Sequence, residues 1–266
     1  MLESILLGLI QGITEWLPVS SEGLVTASAT FLLDKSLEDA IGISLWLHLG
    51  TALAALFSFK VEILKLTKGF IGNPSCFKGE IGFLFLGTAV SALIGLPLLL
   101  FAGEIFLSDP TKNGIQTFTA LIGIFMIVTG VILLRSKRSG KRKRNDSGTI
   151  DAMLTGTAQG FSVLPGLSRS GLTVSVLLAR GMDRRDALTL SFLLSIPAGI
   201  GAGLYTVFST GIILSPEHLV AVGMSFITGL VTIRILLKLA DRINFGVFVI
   251  SVGMLLASNI FFAGLI

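Results

Sequence analysis

Gln11-Gly12-Ile13-Thr14-Glu15-Trp16-Leu17-Pro18-Val19-Ser20-Ser21-Glu22-Gly23-Leu24 returns in the second half of the chain as Gln159-Gly160-Phe161-Ser162-Val163-Leu164-Pro165-Gly166-Leu167-Ser168-Arg169-Ser170-Gly171-Leu172. Aligned without gaps, the Gln-Gly pairs, Ser20 and Ser168, Gly23 and Gly171, and Leu24 and Leu172 coincide; Thr14 faces Ser162 and the prolines are offset by one position. Each copy interrupts an apolar stretch, at 1–30 and 151–178, with Pro, Gly and Ser. Such an interruption frees backbone groups, which survive at membrane depth only when buried in protein or lining a wet cavity. Each copy therefore reads as a re-entrant helical hairpin, with a full kinked span as the alternative.

The rest of the chain sets the class. Its 266 residues have a mean hydropathy of +0.89, 52% apolar and only 14% charged. That is too little charge for a soluble surface of this size, so the reading is an all-α polytopic membrane protein. Crossing about 30 Å of hydrocarbon takes roughly 20 apolar residues, and six such spans stand at 41–59, 81–102, 115–134, 187–209, 217–237 and 244–265.

Six spans and two hairpins sort the charges. Lys60, Lys65, Lys68, Lys78, the basic run from Arg135 to Arg144, Arg180, Arg184, Arg185, Arg234, Lys238 and Arg242 fall on one side. Asp34, Lys35, Glu38, Asp39, Glu104, Asp109, Lys112 and Glu217 fall on the other. The positive-inside rule makes the first side cytoplasmic and puts both termini outside. The run Lys137-Arg138-Ser139-Gly140-Lys141-Arg142-Lys143-Arg144 superficially suggests nucleic-acid binding. Between membrane segments it reads instead as a topology determinant touching anionic headgroups, and no nucleic-acid partner is expected. The N-terminus lacks a basic n-region and carries Glu3, unlike a cleaved signal. Cys76, the single cysteine, allows no intrachain disulfide and reads as packing or chance.

One membrane domain, 1–266, thus divides into a first repeat at 1–134, a basic linker at 135–150 and a second repeat at 151–266. Each repeat has one hairpin and three spans, an odd number, so the second is inverted relative to the first, as in many transporters. The hairpin tips then meet, bringing Glu15, Ser20 and Ser21 near Ser168, Arg169, Ser170 and Thr173.

An arginine at membrane depth is costly and is normally paired or functional. The guanidinium fork of Arg169 suits phosphate oxygens, and the surrounding hydroxyls and helix-start amides complete an anion cradle. The plainer reading pairs Arg169 with Glu15 or Glu22. Glu15 suits a divalent-cation ligand or a general base, and Ser20 and Ser21, past Pro18, lie where a turn returns a hydroxyl beside it. A serine so placed is a candidate nucleophile, although intramembrane serines usually serve packing. His48, on the first span, is either a hydrogen-bonded structural residue or an acid; His218 reads as solvated in an exterior loop.

These two phrases, with the later Ser191-Phe192-Leu193-Leu194-Ser195-Ile196-Pro197 stretch, resemble the bacitracin-resistance family of undecaprenyl-diphosphate phosphatases over nearly the whole chain. The resemblance implies hydrolysis of a polyprenyl diphosphate to the monophosphate and inorganic phosphate, recycling a lipid carrier, with a site toward the outer face. It implies catalytic roles for Glu15, Ser21 and Arg169, and substrate contacts from Gln11, Ser20, Gly166, Ser168, Ser170 and Thr173. It also implies a divalent cation, Mg²⁺ or Ca²⁺, held by Glu15 with Gln11 or Glu22. The chain departs from the family pattern at Leu24, where a histidine is usual, and Glu22, two residues earlier, is the expected substitute; His48 is a separate candidate acid or base. Gln11 stands where many members carry Glu. A polyprenyl-phosphate flippase without hydrolysis is the rival reading. The sequence leaves a homodimer open.

Overall fold

The computed structural model describes residues 1–72, 79–106, 112–136, 140–210, 215–239 and 245–262, and these are all-helical apart from turns and one isolated bridge. Cys76, Lys78, Asp109, Arg242 and residues 137–139 of the basic run lie outside the described residues.

The first phrase forms the break between α1 (Leu2–Thr14) and α2 (Ser21–Leu33). The second forms the break between α7 (Thr149–Phe161) and α8 (Arg169–Ala179). At 11 to 13 residues, none of the four is long enough to cross a bilayer at 1.5 Å per residue. The open ends of each hairpin are tied together. Glu3 at the start of α1 pairs with Lys35 just after α2 at 2.9 Å, and Asp151 at the start of α7 pairs with Arg180 at the end of α8 at 2.7 Å.

Between and after the hairpins run α3 (Leu37–Ser58), α4 (Lys60–Gly72), α5 (Glu80–Phe106), α6 (Lys112–Arg135), α9 (Arg184–Thr210), α10 (Pro216–Leu239) and α11 (Phe245–Phe262). Five of them, α3, α5, α6, α9 and α10, contain a segment long and apolar enough to cross a membrane; the apolar segment of α11, Gly246–Ser258, is shorter. The chain is a multi-pass membrane protein. Helices begin before the apolar runs that mark them because polar residues are spent on caps. Ser36 accepts the Asp39 N–H at 3.1 Å, so α3 starts at Leu37 and not at the hydropathy edge near 41. Helix α4, carrying Lys60, Lys65 and Lys68, lies between two of the spans read from the sequence and is not assigned there.

The helices pair in a regular way: α1 with α10, α5 with α7, α3 with α9, and α6 with α11. The main apolar cluster joins Trp16 of the first phrase to Phe192 and Leu194 of α9, Leu177 of α8 and Ile233 of α10. A second cluster, containing Val19, Phe118, Ile122 and Met126, packs beneath the first tip. The basic linker is folded onto the second hairpin. Arg142 forks onto both oxygens of Asp151 at 3.2 and 2.7 Å and donates to the Arg180 carbonyl at 2.9 Å. Gly140 N–H and Arg142 N–H bond the carbonyls of Met182 and Gly181.

Glycine sets the α6–α11 crossing. A Cβ on Gly253 would lie 2.7 Å from the Gly123 carbonyl oxygen and 3.0 Å from the backbone nitrogen of Ile127. Backbones approach this closely only where side chains are absent. We expect Gly253→Ala to lower the unfolding midpoint of the detergent-solubilised protein, by an overpacking cost of about 1–3 kcal/mol. Gly69→Ala, on α4 where an added Cβ meets nothing within 4 Å, should leave the midpoint unchanged or slightly raised in the same thermal melts.

Candidate active site

Aligned residues of the two phrases do the same local work. Ser20 is the N-cap of α2 and accepts the Gly23 N–H at 3.1 Å; Ser168 is the N-cap of α8 and accepts the Gly171 N–H at 3.2 Å. Capping needs a short hydroxyl side chain three residues before an amide, which is why the Ser-x-x-Gly spacing recurs. The tips also hold each other. The Ser20 hydroxyl oxygen accepts the Gly166 N–H at 3.0 Å, and the Ser170 hydroxyl donates to the Leu17 carbonyl at 2.8 Å. Gly166 turns with φ +101°, and a Cβ there would lie 2.6 Å from the Ile122 carbonyl oxygen. Only glycine fits both the conformation and the space.

Glu15 is the centre of this junction. It is 6% exposed and ends α1. Its Oε1 pairs with Arg169 across the tips. Its Oε2 accepts from Ser21 Oγ at 2.6 Å and from Gln11 Nε2 at 2.9 Å, and lies 3.4 Å from His48 Nε2. Nδ1 of His48 is 2.8 Å from the Ser44 carbonyl. A carbonyl can only accept, so Nδ1 donates to it, and this contact aims Nε2 at the carboxylate. Arg169 also donates to the Ser191 carbonyl at 3.3 Å and lies 5.9 Å above the Trp16 ring. Trp16 is itself buried edge-on against Phe192, their centroids 5.0 Å apart.

Glu15 and Arg169 form part of the wall of a cavity of about 280 Å³, together with Glu22, His48, Ser91, Gln159, Ser162 and Ser195. The other residues expected from the sequence are placed behind that wall. Gln11 and Ser21 are buried against Glu15. Ser20, Gly166 and Ser170 join the tips, Ser168 caps α8 beside Ser170, and Thr173 bonds the Arg169 carbonyl at 2.8 Å and Ser191 Oγ at 2.7 Å. Leu24 packs with the cluster under the first tip; the imidazole beside Glu15 comes from α3. His218 is not simply solvated: its ring packs on Trp46 at 6.4 Å, and its Nδ1 is 3.0 Å from Ser215 Oγ.

The cavity adds a polar arc that sequence reading misses. Gln159 Nε2 donates to Ser91 Oγ at 3.2 Å and to the Leu194 carbonyl at 3.3 Å. The signal was the Gln11–Gln159 match in the repeated phrase. Nothing local in α5 marks Ser91, which looks like any serine in an apolar run.

Among the described residues, no three His, Cys, Asp or Glu side chains gather into a metal cage. Both oxygens of Glu15 already face donors. Among the described residues, Glu22 faces the cavity with no hydrogen bond or ion pair, and Gln11 Oε1 is buried without a partner. A hard cation bound through substrate phosphates needs only one or two protein carboxylates, and this donor set fits one.

The two adjacent serines therefore separate in their effects. Ser20→Ala should destabilise the protein by about 1–2 kcal/mol through loss of the α2 cap and the link to Gly166, read as a lower unfolding midpoint in detergent. Ser21→Ala removes one bond to a carboxylate that keeps other partners, so its midpoint should fall by less. Equal shifts would contradict this division.

Residues 4–256 match the family described as bacitracin resistance protein BacA. A protein of Methanococcoides burtonii named undecaprenyl-diphosphatase is 39% identical over 97% of this chain and 98% of its own length. Proteins of the same name from Methanothrix thermoacetophila and Methanopyrus kandleri are 37% and 38% identical, over 96% and 91% of this chain and 94% and 89% of their own lengths. Together with the tip residues that carry the two phrases, this extent of matching places the chain in the bacitracin resistance protein BacA family.

Proposed function

We propose that the chain hydrolyses a polyprenyl diphosphate, of the undecaprenyl type named for its relatives, to the monophosphate and inorganic phosphate. The observation that carries the reading is the Ser21–Glu15–Arg169 constellation, with Glu15 and Arg169 on one wall of the cavity and Ser21 bonded to Glu15 behind it. A hydroxyl is donated to one carboxylate oxygen, and the other oxygen is held by a guanidinium. This is the arrangement of a nucleophile and its general base, with a cation beside them.

In this reading Ser21 Oγ attacks the terminal phosphorus in line. The Oγ–P bond forms, the bond from phosphorus to the bridging oxygen breaks, and the lipid monophosphate leaves with the bridging oxygen. The Ser21 proton passes to Glu15 Oε2. Water then cleaves the serine phosphate, giving inorganic phosphate and restoring the hydroxyl. Arg169 offsets charge on the transferring group, supported by Ser191 and Trp16. A second reading has Glu15 activate water directly; it is favoured by the position of Ser21 behind the cavity wall while Glu15 and His48 line it. Glu22, with Glu15 on the same cavity wall, would hold a divalent cation, Mg²⁺ or Ca²⁺. Such an ion supplies charge neutralisation to the phosphates when bound.

The same reading takes six helices as spans and the two broken pairs as re-entrant hairpins in inverted repeats, with the site toward the outer face. The ion pairs that close the open ends of both hairpins support it. So does the pairing of α1 with α10 and of α5 with α7, which a twofold axis would exchange.

The test is release of inorganic phosphate from undecaprenyl diphosphate by the purified protein, with Mg²⁺ or Ca²⁺ and after chelation. Arg169→Ala and Glu15→Ala should each lower turnover by about 10²–10³ while the protein still inserts. No release by the wild type, with transfer of the monophosphate between leaflets of proteoliposomes, would replace the enzyme reading with a transporter. Ser21→Ala separates the two attack modes: turnover near background assigns Ser21 as nucleophile, and substantial residual turnover assigns water.

A further inference from the structure

Helix α1 stops where α10 continues. Its glycines seat it tightly on the first half of α10. A Cβ on Gly8 would lie 2.4 Å from the Ala221 carbonyl oxygen, and one on Gly12 would lie 1.8 Å from Thr228 Oγ1 and 2.7 Å from the Ser225 carbonyl oxygen. Just past Gly12 the helix ends at Thr14, whereas α10 runs on to Leu239. The break that delivers Glu15 to the tips thus leaves the second half of α10 without this neighbour. A groove of about 440 Å³ stands in that place, walled by Ile13 and Leu17 of the first tip and by Ile227, Val231, Ile235 and Leu239 of α10. It shares no wall residue with the cavity of Glu15 and Arg169.

The groove offers hydrocarbon alone to an occupant. Thr228 and Thr232, also in its wall, donate their hydroxyls to the carbonyls of Met224 and Thr228 at 2.7 and 2.8 Å. Ordered water needs two or more polar partners, and this wall presents mainly methyl groups. Its length is that of one lipid chain. From Ile227 to Leu239 it runs about 18 Å along α10 at 1.5 Å per residue, and one leaflet, half of a bilayer core, is about 15 Å of hydrocarbon.

The end of the groove away from the tip is basic. Lys238 stands beside Leu239 in sequence and shares a helix face with Ile227 and Val231, and Arg234 borders that face one turn earlier. Both side chains are exposed, and among the described residues neither is paired with an acid. Basic side chains at the end of a membrane helix attract anionic headgroups.

We propose that this groove binds one hydrocarbon chain of an anionic phospholipid, with the headgroup phosphate against Lys238 and Arg234 and the chain end against Ile13 and Leu17 beneath the first tip. The lipid supplies the packing that α1 gives up by ending early. It also braces the junction of the hairpins, because the carbonyl of Leu17 accepts the Ser170 hydroxyl of the second tip. A zwitterionic lipid brings the same chain, but its own cation offsets the phosphate, so it gains less from the basic end.

The test reads stability and lipid retention and not turnover, so its outcome is separate from that of the diphosphatase reading. The full chain in detergent is titrated with phosphatidylglycerol or with phosphatidylcholine of the same acyl chains. Its unfolding midpoint is followed, together with the lipid retained in native mass spectra. At saturation phosphatidylglycerol should raise the midpoint by about 5 °C or more, with one lipid retained per chain, and phosphatidylcholine by less than about half of that. Lys238→Glu combined with Arg234→Glu should reduce the gain from phosphatidylglycerol to that from phosphatidylcholine.

Val231→Phe and Ile235→Phe each enlarge a side chain that is already about half exposed, at 54% and 51%, and so fill the groove without entering the core. Either should abolish the gain from both lipids while the lipid-free midpoint stays at or above that of the wild type. Lys65→Glu combined with Lys68→Glu removes an exposed basic pair on α4, outside the groove, and should keep the full gain. An equal loss in the α4 variant would show general attraction to anionic lipid and overturn the site. A gain that survives both phenylalanine variants, or equal gains from the two lipids in the wild type, overturns it as well.

Discussion

A single buried carboxylate holds the centre of this membrane protein together. Glu15 takes Arg169 on one oxygen and Ser21, Gln11 and His48 around the other. Removing a charge of either sign from such a pair leaves the other uncompensated in a poorly solvated place, at a cost of several kcal/mol. The breaks in α1–α2 and α7–α8 bring the partners to one depth. The N-caps of Ser20 and Ser168 and the turn at Gly166 fix the angles at which they meet. The packing of Trp16 on Phe192 keeps the guanidinium between an aromatic face and a carbonyl. The apolar helices can be seen as walls built to let this polar knot exist.

How much of this could be read from the chain depends on the range of each interaction. The Ser-x-x-Gly caps are local, so the aligned serines and glycines of the repeated phrase announced them directly. The meeting of Glu15 with Arg169 was legible because both are ionisable groups in apolar surroundings, where a partner is obligatory. The orientation of His48 was not legible. Whether a residue on α3 faces Glu15 depends on how that helix is rotated against α1, and no period in the sequence records it. The hydroxyls of Ser168, Ser170 and Thr173 looked like phosphate ligands because a hydroxyl beside an arginine is ambiguous in one dimension; in the structure they bond the protein itself. Helix α4 was hidden by its lysines, which hydropathy reads as loop. The clamp on Asp151 joins residues from three separate segments, and nothing near Asp151 in sequence points to Arg180.

The two halves share a framework and differ where function would reside. Gln11 reaches a carboxylate, while its match Gln159 reaches Ser91 and a carbonyl. Glu15 corresponds to Val163 in the aligned phrase, and Ser21 to Arg169. One copy thus carries the acid and the nucleophile candidate, and the other carries the cation. Neither hairpin alone has a complete site, which gives a physical reason for both to persist in one chain.

The attachment of the linker bears on how such a chain can be divided. Gly140 and Arg142 are bonded to the turn after α8, and Arg142 neutralises Asp151 at the start of α7. Structurally, then, these linker residues already belong to the second half, and the natural seam lies upstream, between Ser136 and Gly140. Two polypeptides separated there would each keep the tie across their own hairpin and would recognise one another through helix faces, the hydrogen bonds between the tips and the Glu15–Arg169 contact. A cut only a few residues later, before Thr149, would strand a buried carboxylate without one of its two arginines.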